Sequence, residues 1–177
     1  SSAILVILTL ALIWVYATIR FKWDFALGAV LAIIHDALIM VTFIAWTQME
    51  FDSLTVAAIL TIIGYSINDT VVVLDRVREN LKLVKVKSIK ELLDLSQTEM
   101  IRRTIITTIT TLLAAVSLFV FTTGSMKNFA LALIVGMLSG VYSTIYIAGA
   151  FIALARRNWK PSDEEKKSQV KELNLED

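Results

Sequence analysis

The 177-residue chain contains no cysteine, one histidine and one proline. Without cysteine it can form no disulfide, thiolate metal site or cysteine nucleophile, and a single histidine argues against zinc centres and serine-hydrolase triads. The net charge is only +1, so overall charge indicates no nucleic-acid partner. Apolar residues, in contrast, make up 56% of the chain and the mean hydropathy is +0.71, whereas a globular domain is about 45–50% apolar. The composition therefore indicates an integral membrane protein.

The apolar residues occur in five long runs, each of which can cross about 30 Å of hydrocarbon as a helix. We expect an all-α, polytopic membrane bundle of five transmembrane helices plus a short cytoplasmic helix. The predicted transmembrane domain covers residues 1–158, and a cytoplasmic tail covers 159–177. Because the first run begins at once, with no basic stretch before it, we predict a spanning helix in a fragment of a longer protein, not a signal peptide. The predicted spans are 3–19, 25–47, 54–74, 104–122 and 129–155, with a long loop at 75–103.

The distribution of basic residues predicts the orientation of the spans. All but one of the 17 lysines and arginines follow the first span, lie between the third and fourth, or follow the fifth. Only Lys127 falls on the other side. Because lysine and arginine are enriched in cytoplasmic loops, the C-terminus is expected in the cytoplasm and the N-terminus outside.

The loop at 75–103 carries its own helix signal. Ser88 and Glu91 have the spacing of a capping box, in which the serine hydroxyl accepts a free backbone amide. Apolar residues follow at helical spacing, so we expect a helix that leads into the fourth span. The tail from Ser162 is charged and lacks aromatic residues.

The third span carries polar residues on one face. Thr61, Tyr65, Asn68 and Asp69 are spaced i, i+4, i+7 and i+8, so they share one side of a helix. A charged residue near the bilayer centre costs about 2.5–3.5 kcal/mol even on the lenient insertion scale. Asp69 is therefore either part of an ion pathway or an interfacial carboxylate near the headgroups.

The fourth span begins with Arg103, followed by a threonine stripe at Thr104, Thr107, Thr108 and Thr111. An Asp69–Arg103 pair with hydroxyls and water beside it would form a proton path. Two alternatives stay open: Arg103 anchors the span at the interface, and the threonines bond to carbonyls of their own helix.

The second and fifth spans add a third polar site and a packing motif. His35 and Asp36 lie near mid-membrane, where a carboxylate must be paired, protonated or hydrated. Neighbouring helix positions point about 100° apart, so both side chains cannot face one partner. Gly136 and Gly140 form a GxxxG match, which allows close helix approach.

The segment from Gly64 to Asn80 reads GYSINDTVVVLDRVREN and closely resembles the signature of the SecF family of protein-export membrane proteins. His35-Asp36, Arg103-Thr104 and the Gly136 to Tyr146 segment resemble further features of that family. The resemblance covers nearly the whole chain, without the family's first span and outer domain. The family-motif positions are Gly64, Asp75, Arg76, Arg78, Glu79 and Asn80.

The resemblance implies a role in the Sec export machinery of the bacterial plasma membrane. Family members pair with SecD, work with the SecYEG channel and SecA, and use the proton or sodium gradient to assist late translocation. The exported polypeptide would be contacted by the outer domain, and no cofactor is implied beyond the transported ion. By this resemblance, Asp69 and Arg103 match the charged residues that family members carry within the membrane. To these we add Asp36 in the relay and, as supporting residues, His35, Asn68, Tyr65, Thr107 and Thr111.

Two other functions remain compatible with these features. An ion-driven exporter of small molecules or lipids from the same superfamily would share a polar membrane core. A purely structural translocase subunit would use Asp69 and Arg103 as packing partners. The sequence contains no Gly-x-Ser-x-Gly nucleophile elbow, no HExxH motif and no paired catalytic-aspartate motif of an intramembrane enzyme, so we expect no enzyme.

Overall fold

The computed structural model describes residues 23–83 and 88–157, together with isolated helical positions at Ile4, Leu8, Ala11, Leu12 and Val15. The described part is helical throughout, as the apolar runs predict, with short connections. The elements are α1 (Trp23–Thr47), α2 (Ser53–Leu83), α3 (Ile89–Phe121), α4 (Gly124–Tyr142), a π-helix (Ser143–Ala148) and α5 (Gly149–Ala155).

Four helices of the described part are long and apolar enough to cross a membrane, and the last of them runs from α4 through the π-helix into α5. The predicted first span, 3–19, lies outside the described residues except for its isolated positions, as does the tail 159–177. The count of five spans is therefore tested only for the other four.

The predicted loop at 75–103 is mostly helical. α2 continues to Leu83, and α3 begins at Ile89 and runs unbroken to Phe121. The expected short helix is thus the first part of α3 and not a separate element. We ended the predicted third span where charged residues begin, but charged side chains do not interrupt the backbone hydrogen bonds of a helix. Val73, Leu74 and Val77 keep the buried stripe of α2 going through this region.

The start of α3 matches the capping signal in the sequence. Ser88 has an extended backbone, and its Oγ accepts the Glu91 backbone N–H at 3.3 Å. At the opposite end of the bundle, α2 begins after Asp52, whose Oδ1 accepts the Thr55 backbone N–H at 2.8 Å. This bond lowers the pKa of the Asp52 carboxyl, with smaller contributions from nearby hydroxyls.

Two clusters of buried side chains hold the helices together. The central cluster joins α1, α2, α3 and α4 around Ile33, Met40, Ile62 and Met137. The second, near the start of α1 and the end of α2, includes Leu92 of α3.

The second cluster marks what we call the basic end of the bundle, which holds the ends of α2 and α5 and the starts of α1 and α3. There Arg156 forms an ion pair with Asp24, and its guanidinium lies 4.7 Å from the centroid of the Phe25 ring.

Gly136 and Gly140 lie where α4 meets α2. A Cβ at Gly136 would overlap the Ile62 side chain, and one at Gly140 would lie 3.5 Å from the Ser66 Cβ. The close approach brings polar side chains of α1, α2 and α4 within hydrogen-bond distance.

Candidate ion-relay site

Asp36 is fully buried and lies at the middle of the 25-residue helix α1. Three serines from other elements donate hydrogen bonds to its carboxylate. Ser66 and Ser143 donate to Oδ2 at 2.6 and 2.7 Å, and Ser139 donates to Oδ1 at 2.7 Å. His35 adds a contact from Nδ1 to Oδ1 at 3.2 Å. Since an ionised carboxylate has about four acceptor sites, Asp36 has a complete set of partners.

His35 occupies a different environment from its neighbour. Its side chain is 29% exposed, while that of Asp36 is inaccessible. The imidazole lies 6.0 Å from the Tyr142 ring, and Tyr142 lies 5.0 Å from Tyr146. As the sequence predicts, the two neighbours point in different directions, yet they still contact each other through Nδ1.

Asp69 lies on α2, one helical turn beyond Ser66, and faces α3. Its Oδ1 accepts the Thr104 hydroxyl at 3.0 Å. Its Oδ2 is buried and is the only such side-chain atom without a hydrogen-bond partner in the described part of the chain. The carboxylate is thus neither in bulk solvent nor fully satisfied.

Arg103 does not form the expected ion pair with Asp69. Between described residues no ion pair joins the two, and the Arg103 side chain is exposed. The reason is helical geometry, since adjacent positions diverge by about 100°. When Thr104 faces α2, Arg103 must point away along the outer surface.

The threonine stripe of α3 divides into two faces. Thr104 and Thr108 are buried against α2, and the Tyr65 hydroxyl donates to Thr108 Oγ1 at 3.5 Å. Thr107 and Thr111, which we predicted to support the relay, donate to carbonyls of α3 itself, Thr107 to Arg103 at 2.9 Å and Thr111 to Thr107 at 2.8 Å. These two bonds agree with the alternative stated above, in which the threonines bond to carbonyls of their own helix.

Two further predicted residues stand apart from the relay. Asn68 is exposed, and a Cβ added at Gly64 would have nothing within 4 Å. Neither lies in the polar contacts between α2 and its neighbours.

Two other family-motif residues, Arg76 and Asn80, join α2 to α3 at the basic end. Asn80 is buried, and its amide donates to Ser96 Oγ at 3.0 Å and to Glu99 Oε2 at 2.8 Å. Arg76 pairs with Glu99 and with Glu79, each at 2.6 Å. Arg78 is exposed and Asp75 is partly buried. These contacts fix the antiparallel packing of the two helices.

Hydrogen bonds connect the π-helix to α1, α2 and α3. Ser143 bonds to Asp36 of α1, Thr144 lies 2.8 Å from Thr70 of α2, and the Ile145 carbonyl accepts the Gln97 amide of α3 at 2.9 Å. π-Helical turns are rare and are frequent at functional sites.

A cavity of about 260 Å³ lies beside the site, between α2, α3 and the π-helix. It is open toward the surface, and its wall includes Thr104, whose hydroxyl bonds to Asp69. Since a water occupies about 30 Å³ of liquid, the cavity has room for several waters beside Thr104. Within the described residues there is no group of three or more histidines, aspartates or glutamates that could hold a metal.

Sequence reasoning missed several of the residues that complete the site. Ser66 and Ser139 were not singled out, because isolated serines are common in membrane helices. Gln97 and Glu99 were missed because they lay in the predicted loop. A signal was available for Ser139 and Ser143, which are spaced i, i+4 beside the GxxxG match.

The comparisons with known proteins agree on one family. The family model "Protein export membrane protein SecD/SecF, C-terminal" matches residues 1–158. The chain is 60% identical over 157 residues to the protein translocase subunit SecF of Treponema pallidum, covering 89% of this chain and 37% of that protein. It is 49% identical over 134 residues to SecF of Cereibacter sphaeroides, covering 76% of this chain and 41% of that protein. The chain therefore spans less than half the length of these curated relatives.

Solved structures show the same arrangement of helices. SecDF from Thermus thermophilus, described as a translocon-associated membrane protein, superimposes with a TM-score of 0.84 at 39% identity, covering 89% of this chain and 22% of that one. SecDF in a "super-membrane-facing" form gives a TM-score of 0.80 at 37% identity, covering 93% and 21%.

The fold and the site define a multi-pass helical membrane protein whose spans are joined by buried carboxylate–hydroxyl contacts. The chain belongs to the SecD/SecF family of protein-export membrane proteins and corresponds to the membrane half of SecF. The matches indicate no enzyme family, and membership supports an inner-membrane location.

Proposed function

We propose that this chain is the membrane part of a SecF-type subunit of the Sec machinery, which uses the proton or sodium gradient to assist late translocation of exported proteins. Its partners would be SecD, the SecYEG channel and SecA. The relatives named as translocase subunit SecF support this role. Their greater length leaves room for the outer domain that would contact the exported polypeptide. The basic residues support a cytoplasmic C-terminus.

The observation that carries the ion-coupling proposal is the unpartnered Oδ2 of Asp69. A buried carboxylate oxygen without a partner is costly in a membrane, and a transported proton or ion is a partner that can come and go. The adjacent cavity gives water a place beside Thr104.

The electrical driving force sets the scale of what this site can do. One charge crossing 100 mV supplies about 2.3 kcal/mol, which changes a two-state equilibrium roughly fifty-fold. This is enough to shift the packing of α2 against α3. Repeated cycles would be needed to move an exported chain.

Matched valine substitutions test the proposal in the intact protein. Thr104→Val removes the hydroxyl that bonds to Asp69, whereas Thr107→Val removes one that bonds only to its own helix. We expect Thr104→Val and Asp69→Asn to impair gradient-dependent export in cells and Thr107→Val to leave it nearly normal. Unimpaired export by Asp69→Asn would exclude Asp69 from the mechanism.

A structural subunit is the second candidate, because buried hydrogen bonds such as Ser66–Asp36 and Thr70–Thr144 join the helices without a transported ion. It predicts that Thr104→Val lowers export only as far as it lowers the amount of folded protein. Quantifying the protein in the membrane beside export separates the two functions.

A further inference from the structure

Asp36 has contacts that suit a proton and leave no space for a larger ion. Its two oxygens lie 2.6–2.7 Å from the hydroxyl oxygens of Ser66, Ser139 and Ser143. These are hydrogen-bond distances, so a metal ion could enter only by pushing the helices apart. A proton adds no volume.

His35 is the group that can exchange this proton. It contacts Asp36 Oδ1 through Nδ1 and is partly exposed, while the carboxylate is fully buried. Histidine takes up and releases protons near neutral pH. In the transfer, the Nδ1 proton of the imidazolium moves to Oδ1, leaving a neutral imidazole and a carboxylic acid whose O–H donates back to Nδ1.

The other groups around Asp36 carry no charge. α2 presents Ser66, α4 presents Ser139 and the π-helix presents Ser143, and the tyrosines Tyr142 and Tyr146 lie behind His35. Asp69 is one turn beyond Ser66, but its bonded oxygen faces α3. The state of Asp36 is therefore set mainly by His35 and the three hydroxyls.

Ionised Asp36 connects α1 to three other elements, because hydrogen bonds to a carboxylate are about twice as strong as those between neutral groups. Ser143 has a second acceptor, the Gly140 carbonyl at 3.1 Å, for its single proton. Once the charge on Asp36 is neutralised, Ser143 can turn to that carbonyl without leaving its hydroxyl unpaired.

We infer that His35 and Asp36 form a proton-binding pair, separate from Asp69, that fastens α1 to α2, α4 and the π-helix when Asp36 is ionised and loosens them when it is neutral. The inference rests on the proposed function only for the use of this proton in export. Binding of the proton is a property of the protein without any exported substrate.

Infrared difference spectroscopy of the purified full-length protein tests the inference. A pH titration should reveal the C=O stretch of a protonated carboxyl group that is lost in Asp36→Asn and retained in Asp69→Asn. Retention of every carboxyl band in Asp36→Asn would overturn the inference, as would a band that responds to sodium at fixed pH.

Ser143→Ala and Ser143→Thr keep the test decisive if Asp36→Asn fails to fold. Ser143→Ala should shift the frequency of the carboxylate band that disappears when Asp36 is protonated, because the ionised form loses a hydrogen-bond donor, and Ser143→Thr should restore it. An unchanged carboxylate frequency in Ser143→Ala would contradict the inference. Because the spectrum requires no transport, its failure is distinguishable from a normal export result with Asp69→Asn.

Discussion

Gly149 makes room for the side chain that connects α3 to the π-helix. A Cβ at Gly149 would lie 2.6 Å from Gln97 Nε2, and that amide donates to the Ile145 carbonyl. Gly149→Ala should therefore displace Gln97 into the neighbouring cavity, whose wall it already forms. The substitution breaks a hydrogen bond between α3 and the π-helix without changing any residue of α3.

The magnitudes follow from two opposing effects. The lost hydrogen bond costs about 1 kcal/mol, and replacing glycine by alanine in a helix gains about 0.8–1.0 kcal/mol. Gly149→Ala should thus be nearly neutral in the wild-type background. Gln97→Ala should cost about 1 kcal/mol by itself. In the Gln97→Ala background, where nothing remains to displace, Gly149→Ala should stabilise the protein by about 1 kcal/mol.

The measurement is a double-mutant cycle on the free energy of unfolding of the full-length protein in detergent micelles. Gly64→Ala is the control, because a Cβ there meets nothing within 4 Å. If Gly149→Ala changes stability equally in both backgrounds, within about 0.3–0.5 kcal/mol, the two residues are not coupled and the reasoning is wrong.

Three more predictions concern the rest of the bundle. Gly136→Ala should lower stability by about 1–3 kcal/mol through overpacking against α2, measured beside the Gly64→Ala control. Asn80→Ala should cost about 2–4 kcal/mol, since it loses one bond to a charged acceptor and one to a hydroxyl, and equal stability would contradict its role. The lowered pKa of Asp52 means that its stabilising bond to Thr55 is complete above about pH 4 and is lost as the pH falls further. Asp52→Asn, which still caps the helix, should therefore show a shallower loss of melting temperature in acid than the wild type, and identical acid profiles would count against the bond.

Much of the fold could be predicted because apolar runs long enough to span a bilayer have few alternative structures. The capping-box spacing of Ser88 and Glu91 likewise predicted where α3 begins. The ends of α2 and α3 at the basic end could not be predicted, because we took charged residues as loop. A helix that extends beyond the hydrocarbon keeps its backbone bonds and carries charges freely, as Arg76 and Glu99 do.

The sequence predicted the two buried acids of the candidate site but not the residues that form hydrogen bonds with them. Asp36 and Asp69 stand out because charges are costly in a membrane. Which residue of α3 meets Asp69 depends on the rotation of that helix, and a difference of one position exchanges Arg103 for Thr104. A serine carries no such cost, so the sequence did not indicate that Ser66, Ser139 and Ser143 meet at Asp36, although the i, i+4 spacing of Ser139 and Ser143 placed those two on one face of their helix.

The π-helix between α4 and α5 also determines which residues after it face the core. Gly140, Thr144, Ala148 and Ile152 are all buried, although a spacing of four rotates an ordinary α-helix by about 40° at each step, or about 120° in all. The extra residue in the π-helix reverses about 100° of that rotation. Removing one residue between Ser143 and Ala148 would consequently do more than shorten the helix. It would turn Ile152 out of the core and carry Arg156 away from Asp24, so the length of this segment is constrained as tightly as its composition.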